Sequence, residues 1–155
     1  MADRTQALEK PIRGVAAADK VEWLRLWAEY CAFYRTDVPA AATETTWSRL
    51  MDPASAVHGL VFEADRVVGF AHYVLHPYTW GPAPVCYLED LYVAPEARGR
   101  GAGRSLIEAL LAQARDQGWA RVYWMTEENN VAARALYDRF TPRDSFVRYV
   151  IRLGD

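Results

Sequence analysis

Residues 85–111 of this 155-residue chain read VCYLEDLYVAPEARGRGAGRSLIEALL, and this stretch decides the fold. Its first nine residues are rich in valine, leucine and tyrosine and predict a strand. From Leu106 onward, apolar residues recur at helical spacing and predict an amphipathic helix. A glycine-rich turn at residues 98–103 connects the two. A strand, a turn and a helix in this order are typical of a strand–helix–strand crossover in a mixed α/β domain.

The remaining elements are predicted from hydrophobic periodicity and from turn residues. We expect further strands at residues 11–15, 58–62, 67–75, 120–126 and 146–153, and helices at residues 20–35, 43–51 and 131–139. A short connection makes the second and third strands an antiparallel hairpin. The chain is therefore predicted to be one α/β domain spanning residues 1–155, with its core at about residues 11–153.

Two helix starts are predicted from capping residues. Asp19 followed by Glu22 has the spacing of a capping box, and Thr43 stands where a side-chain cap is expected. Asp52-Pro53 and Gln117-Gly118 have the composition of helix ends. These signals predict where three of the helices begin or end.

Composition limits the classes of function. A net charge of −2 gives no field for a polyanion, so we expect no nucleic-acid partner. Met1–Lys10 is polar and charged, and no apolar run has the length of a membrane span, so we expect a cytoplasmic protein without membrane contact. The surplus of aromatic residues, with six Trp and nine Tyr, favours a homodimer.

Cysteine and histidine residues give no metal-binding pattern. Cys31 and Cys86 stand far apart in apolar surroundings, which favours buried thiols in a reducing compartment. The three histidines, His58, His72 and His76, lack ligand spacing, so we expect no metal, and we interpret His72 as structural.

The glycine-rich turn has the character of an anion site. Its three glycines let backbone amides approach a ligand, and the following helix contributes its N-terminal N–H groups. Arg98, Arg100 and Arg104 add positive charge. A dinucleotide fingerprint would need glycine where Arg104 stands, and a nucleoside-triphosphate loop would need a Gly-Lys-Ser/Thr ending, so both are poor matches.

Two motifs in order resemble one family. Arg98-x-x-Gly101-x-Gly103, after a strand that ends in Val-x-Pro, resembles the acetyl-CoA pyrophosphate loop of the GNAT superfamily of N-acetyltransferases. Asn130-x-x-Ala133-x-x-x-Tyr137 resembles the helix that follows the next strand in that superfamily. More of the chain, including Trp23 and Thr79-Trp80, is similar to its histone and polyamine acetyltransferase subgroup.

The resemblance implies a fold and a reaction. The fold would be a GNAT-like acyl-CoA N-acyltransferase domain with a central mixed, mostly antiparallel sheet flanked by helices. The reaction would move an acetyl group from acetyl-CoA to a primary amine of a polyamine, an amino acid, another small molecule or a basic peptide. A non-catalytic acyl-CoA sensor or interaction module is the alternative, and an RG-rich RNA-binding module fits poorly with the acidic net charge.

The resemblance also implies a set of residues that bind acetyl-CoA. These are Leu91, Tyr92, Val93, Arg98, Gly99, Arg100, Gly101, Ala102, Gly103, Arg104, Ser105, Asn130 and Tyr137. Backbone N–H groups of the first three would polarise the thioester carbonyl. Tyr137 would protonate the departing thiolate.

Glu89 is the candidate general base, because an ammonium group must lose a proton before it can attack a thioester. Asp90 should point to the other face of the strand unless a bulge intervenes. One departure from the family lies after Tyr137, where the usual glycine is missing from the run Leu136 to Arg143. We therefore expect a different local ending of this helix.

Overall fold

The structure, a computed structural model, describes residues 11–154. Met1–Lys10, whose polar composition argued against a leader, lies outside the described residues, as does Asp155. The strands are β1 (Ile12–Gly14), β2 (Val57–Glu63), β3 (Val67–His76), β4 (Val85–Val93) and β5 (Arg121–Trp124). The α-helices are α1 (Lys20–Phe33), α2 (Ala40–Met51), α3 (Ala102–Gln117) and α4 (Val131–Tyr137). The chain divides into two compact units, one ending at Trp124 and the next beginning at Met125.

The first unit contains a five-stranded sheet in the order β1-β2-β3-β4-β5. The first three pairings are antiparallel, and β4 pairs with β5 in parallel across the α3 crossover. The prediction of a mixed, mostly antiparallel sheet is therefore confirmed. The predicted β2–β3 hairpin is also confirmed.

Helices cover both faces of this sheet. Leu26 of α1 belongs to the same buried cluster as Val61, Phe70 and Tyr92. A side chain at Gly69, which points to the other face, would meet Leu106 of α3. The helix α3 ends at Gly118, whose φ of 70° is left-handed, as the Gln117-Gly118 signal predicted.

Both side-chain caps predicted for α1 and α2 are wrong. Asp19 is buried, and its carboxylate accepts two hydrogen bonds from Arg13 and one from the Ala16 N–H instead of capping α1. The helix α2 begins three residues before Thr43, whose hydroxyl accepts a hydrogen bond from the Trp27 indole. In both cases the predicted capping side chain instead forms hydrogen bonds with a residue outside that helix, Arg13 for Asp19 and Trp27 for Thr43.

The second unit contains α4 and an irregular segment. The predicted strand at residues 146–153 is wrong, because the structure gives this segment no strand and leaves all of it exposed. Alternating apolar residues form a strand only where a neighbouring strand takes up their backbone N–H and C=O groups. No described strand pairs with this segment.

Candidate active site

The strand β4 carries a β-bulge at Glu89. His72 of β3 lies opposite Asp90, but the next residue, Tyr73, lies opposite Leu88. Glu89 is thus the extra residue without a partner on β3. A bulge interrupts the strict alternation of side chains. The side chains of Glu89 and Asp90 therefore do not follow the regular alternation of a strand, because the bulge intervenes between them.

Asp90 is held by a buried hydrogen-bond chain, which we call the Asp90 network and which comprises Trp23, Tyr30, His72 and Asp90. The Tyr30 hydroxyl donates to one carboxylate oxygen at 2.6 Å, and His72 Nδ1 lies 2.9 Å from the other. His72 Nε2 lies 2.9 Å from the Trp23 indole nitrogen. Because an indole N–H can only donate, Nε2 accepts and Nδ1 carries the ring proton.

Sequence analysis missed this network because its members come from α1, β3 and β4. The signal available was a histidine within an apolar strand, since a buried imidazole needs polar partners. His72 is 2% exposed and bonded at both ring nitrogens, in agreement with a structural interpretation. Its partners follow only from the register of β3 with β4 and from the packing of α1.

Glu89 has a different environment from Asp90. It is exposed, and no hydrogen bond or ion pair engages its carboxylate among residues 11–154. Partial desolvation and the negative charge of Asp90 raise the pKa of the Glu89 carboxyl. A raised pKa brings a carboxylate closer to the range in which it takes up and releases protons efficiently.

The pairing of β4 with β5 ends at the bulge. Leu88 is the last residue of β4 with a partner on β5, and this partner is Trp124. Leu91, Tyr92 and Val93 pair only with β3. The edge of these three residues that points toward β5 therefore has no strand partner on β5. The family resemblance implies that backbone N–H groups at this edge face the thioester. The Tyr92 ring is buried in the core, so only its backbone is available for such a role.

The glycine-rich turn places two glycines in the left-handed region. Gly99 has a φ of 79° and Gly101 a φ of 78°, and a Cβ at either position would meet no protein atom within 4 Å. Gly101 is also the N-cap of α3 and supplies no side chain to the N-terminal amides. Among the cofactor candidates that follow, Ala102 is buried, and Gly103 and Ser105 are partly exposed.

Two of the three candidate arginines are engaged within the protein. Arg98 Nε donates to the Val93 carbonyl at 2.9 Å, which closes the turn onto the end of β4. Arg104 Nε donates to Glu108 at 2.7 Å on the surface of α3. Arg100 is exposed. All three arginines are exposed, and Arg98 and Arg104 each also have a contact within the protein.

The turn and the start of α3 fit a pyrophosphate group. The first N–H groups of a helix have no intrahelical acceptors, and the open space around Gly99 and Gly101 lets an anion approach the backbone. A cosubstrate with a pyrophosphate, such as the acetyl-CoA that the resemblance implies, would be held here by backbone N–H groups and would supply its acetyl group as a thioester.

In the second unit, the Asn130 side chain caps α4. Its oxygen accepts a hydrogen bond from the Ala133 N–H at 3.2 Å. Tyr137 is the last residue of α4 and is partly buried. The helix ends without a left-handed residue, because Asp138 remains right-handed and the Phe140 N–H bonds the Tyr137 carbonyl at 2.9 Å. The expected difference at this helix end is confirmed.

An aromatic cluster lies near the start of β4 in the first unit. Tyr87 stacks on Tyr123 of β5 with ring centroids 5.0 Å apart, and the Tyr123 hydroxyl lies 2.8 Å from His76 Nε2. The Arg121 guanidinium lies 5.1 Å from the Tyr78 ring and 5.3 Å from the Tyr123 ring. The cluster is thus two residues along β4 from the bulge and already holds one cation against its ring faces.

Residues 11–154 contain no group of three or more potential metal ligands. No helix in that range has the length and apolar character needed to cross a bilayer.

Comparison with known proteins gives consistent relatives. The acetyltransferase (GNAT) family model matches residues 21–141. D-amino-acid N-acetyltransferase HPA3 of Saccharomyces cerevisiae is 36% identical over 141 residues, covering 89% of this chain and 88% of the yeast protein. Aminoglycoside N(6')-acetyltransferase type 1 of Stenotrophomonas maltophilia is 33% identical and covers 81% of each chain. A crystal structure of a probable acetyltransferase superimposes with a TM-score of 0.82 at 21% identity, covering 93% of this chain and 98% of the other.

Proposed function

Because this chain belongs to the acetyltransferase (GNAT) family, we propose that it acetylates the primary amine of a small cationic acceptor, with Glu89 as general base. Acetyltransferases of this family use acetyl-CoA as the acetyl donor. The single observation that carries the proposal is the β4 bulge, which exposes the Glu89 carboxylate beside the end of the β4–β5 ladder. A proton acceptor at that point is what an attacking amine requires.

The proposed reaction needs one residue to take a proton from the amine and another to give a proton to the sulfur. The acceptor ammonium loses one proton to the Glu89 carboxylate directly or through one water, so an N–H bond breaks and an O–H bond forms. The amine nitrogen then forms its bond to the acetyl carbon as the carbon–sulfur bond breaks, and it releases its second proton to solvent, from which the tyrosinate left at Tyr137 is reprotonated. Tyr137 gives its hydroxyl proton to the departing thiolate, a role supported by the Asn130-to-Tyr137 motif.

The proposed donor site is the turn from Arg98 to Ser105. Its support is the pair of left-handed glycines and the uncapped start of α3, which together favour a pyrophosphate. Arg98, Arg100 and Arg104 are all exposed and can add positive charge for a phosphate, and Arg98 also has a structural contact with Val93. Asn130 is included among the proposed donor-site residues because of its motif, and its side chain caps α4.

The acceptor class is proposed from charge and from the relatives. Glu89 and Asp90 place two carboxylates at the bulge, and the stacked rings of Tyr87 and Tyr123 are two residues away along β4. Carboxylates and aromatic faces both favour a cation. The named relatives act on D-amino acids and on aminoglycosides, which carry amines. A polyamine, an amino acid or a lysine side chain fits this chemistry, and a nucleic-acid partner does not.

We also propose a cytoplasmic homodimer. The support for dimerisation is the exposed apolar segment near the C-terminus, where Phe146, Tyr149 and Ile151 are each more than 80% exposed. Apolar patches of this kind mark interaction sites more often than solvated surface. The support for a reducing compartment is that Cys31 and Cys86 are both free thiols. Light scattering of Tyr149→Lys against wild type tests the dimer, since a monomeric wild type would exclude it.

The experiment for the function measures acetyl transfer directly. Purified protein is incubated with acetyl-CoA and separately with spermidine, a D-amino acid, an L-amino acid, an aminoglycoside or a lysine-rich peptide. Free CoA and the acetylated amine are then quantified by chromatography and mass spectrometry. Equal amounts of CoA and N-acetyl product, both strongly reduced in Glu89→Gln, are expected.

The matched control is Glu44→Gln, because Glu44 is another exposed glutamate and its partner is Lys20 on the surface. It should leave the rate unchanged. CoA release at one rate with and without every amine would contradict the proposal, as would full activity of Glu89→Gln with a preferred acceptor.

A further inference from the structure

We propose that His72 is a positioning residue: held in one tautomer by Trp23, it fixes Asp90 and so maintains the β4 bulge that presents Glu89. The proposal rests on the proposed role of Glu89. It assigns distinct tasks to two consecutive carboxylates. Asp90 anchors the strand, and Glu89 accepts the proton.

The first step concerns the tautomer of His72. The Trp23 indole can donate but cannot accept, so its N–H at 2.9 Å requires a lone pair on His72 Nε2. A ring proton on Nε2 would place two donors against each other. The proton must therefore stay on Nδ1, where it points at Asp90 over 2.9 Å. Trp23 thus selects the form of His72 that binds Asp90.

The second step concerns Asp90. One of its oxygens accepts from Tyr30 of α1 and the other from His72 of β3. Both directions of approach are thereby used inside the protein, and the His72 and Asp90 side chains are only 3% and 14% exposed. The Asp90 carboxylate is for this reason engaged within the protein. Its two bonds tie β4 both to its neighbouring strand and to the covering helix.

The third step connects this anchor to the bulge. The register changes between His72 and Tyr73, immediately beside the anchored pair, and Glu89 is the residue displaced by that change. Without the anchor, β4 can pair with β3 in regular register, and a shift of one residue turns a side chain to the opposite face. The Asp90 network therefore acts on the direction of Glu89 although it makes no contact with the reacting groups.

The surroundings of His72 hold its ring in place. The Phe70 ring stacks on it with centroids 4.5 Å apart, and the Trp27 ring lies 5.5 Å away. Contact with these two neighbouring rings leaves the imidazole little freedom to rotate. Trp23 and Asp90 are the only hydrogen-bond partners of its two nitrogens among the described residues.

Four variants test the proposal. His72→Leu removes the hydrogen bond to Asp90, and His72→Gln keeps an amide that can donate to it. Trp23→Phe keeps an aromatic ring but removes the N–H that selects the tautomer. The matched control is Trp27→Phe, which removes a comparable indole hydrogen bond, to Thr43 at 3.1 Å, from a ring that also packs on His72. Circular dichroism establishes that each variant is folded.

The kinetic expectation separates positioning from general loss of stability. Displacing a general base by about 1 Å lowers the reaction rate by about 10²-fold, so His72→Leu should lower kcat by roughly this factor. The KM for acetyl-CoA should stay within about twofold, because the donor site is untouched. His72→Gln should recover about tenfold of the loss through its amide donor. Trp23→Phe should resemble His72→Gln, and Trp27→Phe should resemble wild type.

The second readout does not depend on turnover. Side-chain ¹⁵N spectra of the three histidines report which ring nitrogen is protonated, and the signal lost in His72→Gln identifies His72. We expect protonated Nδ1 and bare Nε2 in wild type, and in Trp23→Phe an Nε2 resonance displaced by the loss of the indole N–H. An Nε2–H tautomer or an imidazolium in wild type would overturn the proposal.

The two proposals fail in different ways. If Glu89→Gln loses activity while folded His72→Leu and Trp23→Phe keep the wild-type kcat, the positioning role is wrong and the function stands. If Glu89→Gln is fully active, the base assignment is wrong and the positioning role that rests on it falls as well.

Discussion

Glu89 and Asp90 are consecutive on β4, yet only Asp90 is tied to neighbouring elements. Asp90 lies opposite His72 and is bonded at both carboxylate oxygens, whereas Glu89 has no partner on β3 and is exposed. One bulge thus separates an anchored carboxylate from an available one. The predictions for activity follow from this separation.

Replacement of Glu89 should remove the acid limb of the pH profile. A general base must be deprotonated, so kcat/KM should fall as pH falls through the Glu89 pKa, which desolvation and Asp90 raise above its ordinary value. Glu89→Gln should lose about 10²-fold in kcat/KM at neutral pH. It should also lose this limb. The profile is measured by CoA release with an amine that stays protonated throughout.

The control for this profile is Glu44→Gln, which should keep both the rate and the acid limb. An acid limb that persists unchanged in Glu89→Gln would mean that another group is the base.

Gly101 and Gly118, at opposite ends of α3, allow the effect of a substitution on backbone strain to be distinguished from its effect on ligand binding. Gly101 and Gly118 both have left-handed φ values, 78° and 70°, and a Cβ at either meets nothing within 4 Å. Either substitution by alanine should therefore cost about 1 kcal/mol of stability. Only Gly101→Ala should also weaken acetyl-CoA binding, by roughly tenfold, because its methyl group occupies the approach to the helix start. Urea denaturation and calorimetric titration measure the two effects, and equal affinities in both variants would contradict the assignment.

Tyr137→Phe tests the proposed acid. Loss of the hydroxyl should lower kcat by about 10²-fold while the Kd for acetyl-CoA remains the same, since the proton is needed only as the thiolate departs. Tyr149→Phe is the control, because Tyr149 also lies in the second unit and is 91% exposed. A wild-type rate of CoA release in a single turnover of Tyr137→Phe would exclude Tyr137 as the acid.

The buried Asp19 should make stability dependent on pH. Hydrogen bonds from Arg13 lower the Asp19 pKa, so its contribution is present above the unfolded pKa and is lost as pH falls through the folded pKa. Asp19→Asn should cost about 2 kcal/mol at neutral pH because it weakens charge-assisted hydrogen bonds. The cost should shrink as pH falls through the lowered folded-state pKa, where the wild-type carboxyl also becomes protonated. Urea denaturation at neutral pH and over a series of acidic pH values measures this.

Glu63 offers the matched comparison for Asp19. It binds the same Arg13 at 2.8 Å but is 46% exposed. Glu63→Gln should therefore cost less than about 1 kcal/mol. A cost equal to that of Asp19→Asn would show that burial is not what gives Asp19 its effect.

Much of the fold could be predicted from local pattern. The strand β4 has the predicted bounds of Val85–Val93, and α3 ends at the predicted glycine. These elements are long and strongly periodic, so consecutive residues are enough to predict whether each forms a strand or a helix. The segment 146–153 has a similar pattern but lacks a described partner strand, and the prediction there failed. A strand, unlike a helix, cannot bond its own backbone.

The sequence by itself determined the turn, the motifs and the candidate base, because glycines, charges and spacing are properties of neighbouring residues. Only the tertiary structure decided that Glu89 stands on a bulge and that Asp90 is held by His72, Trp23 and Tyr30. These contacts join residues 18 to 60 positions apart in the chain, through strand register and helix packing. Register is a property of two strands together, and no single strand contains it.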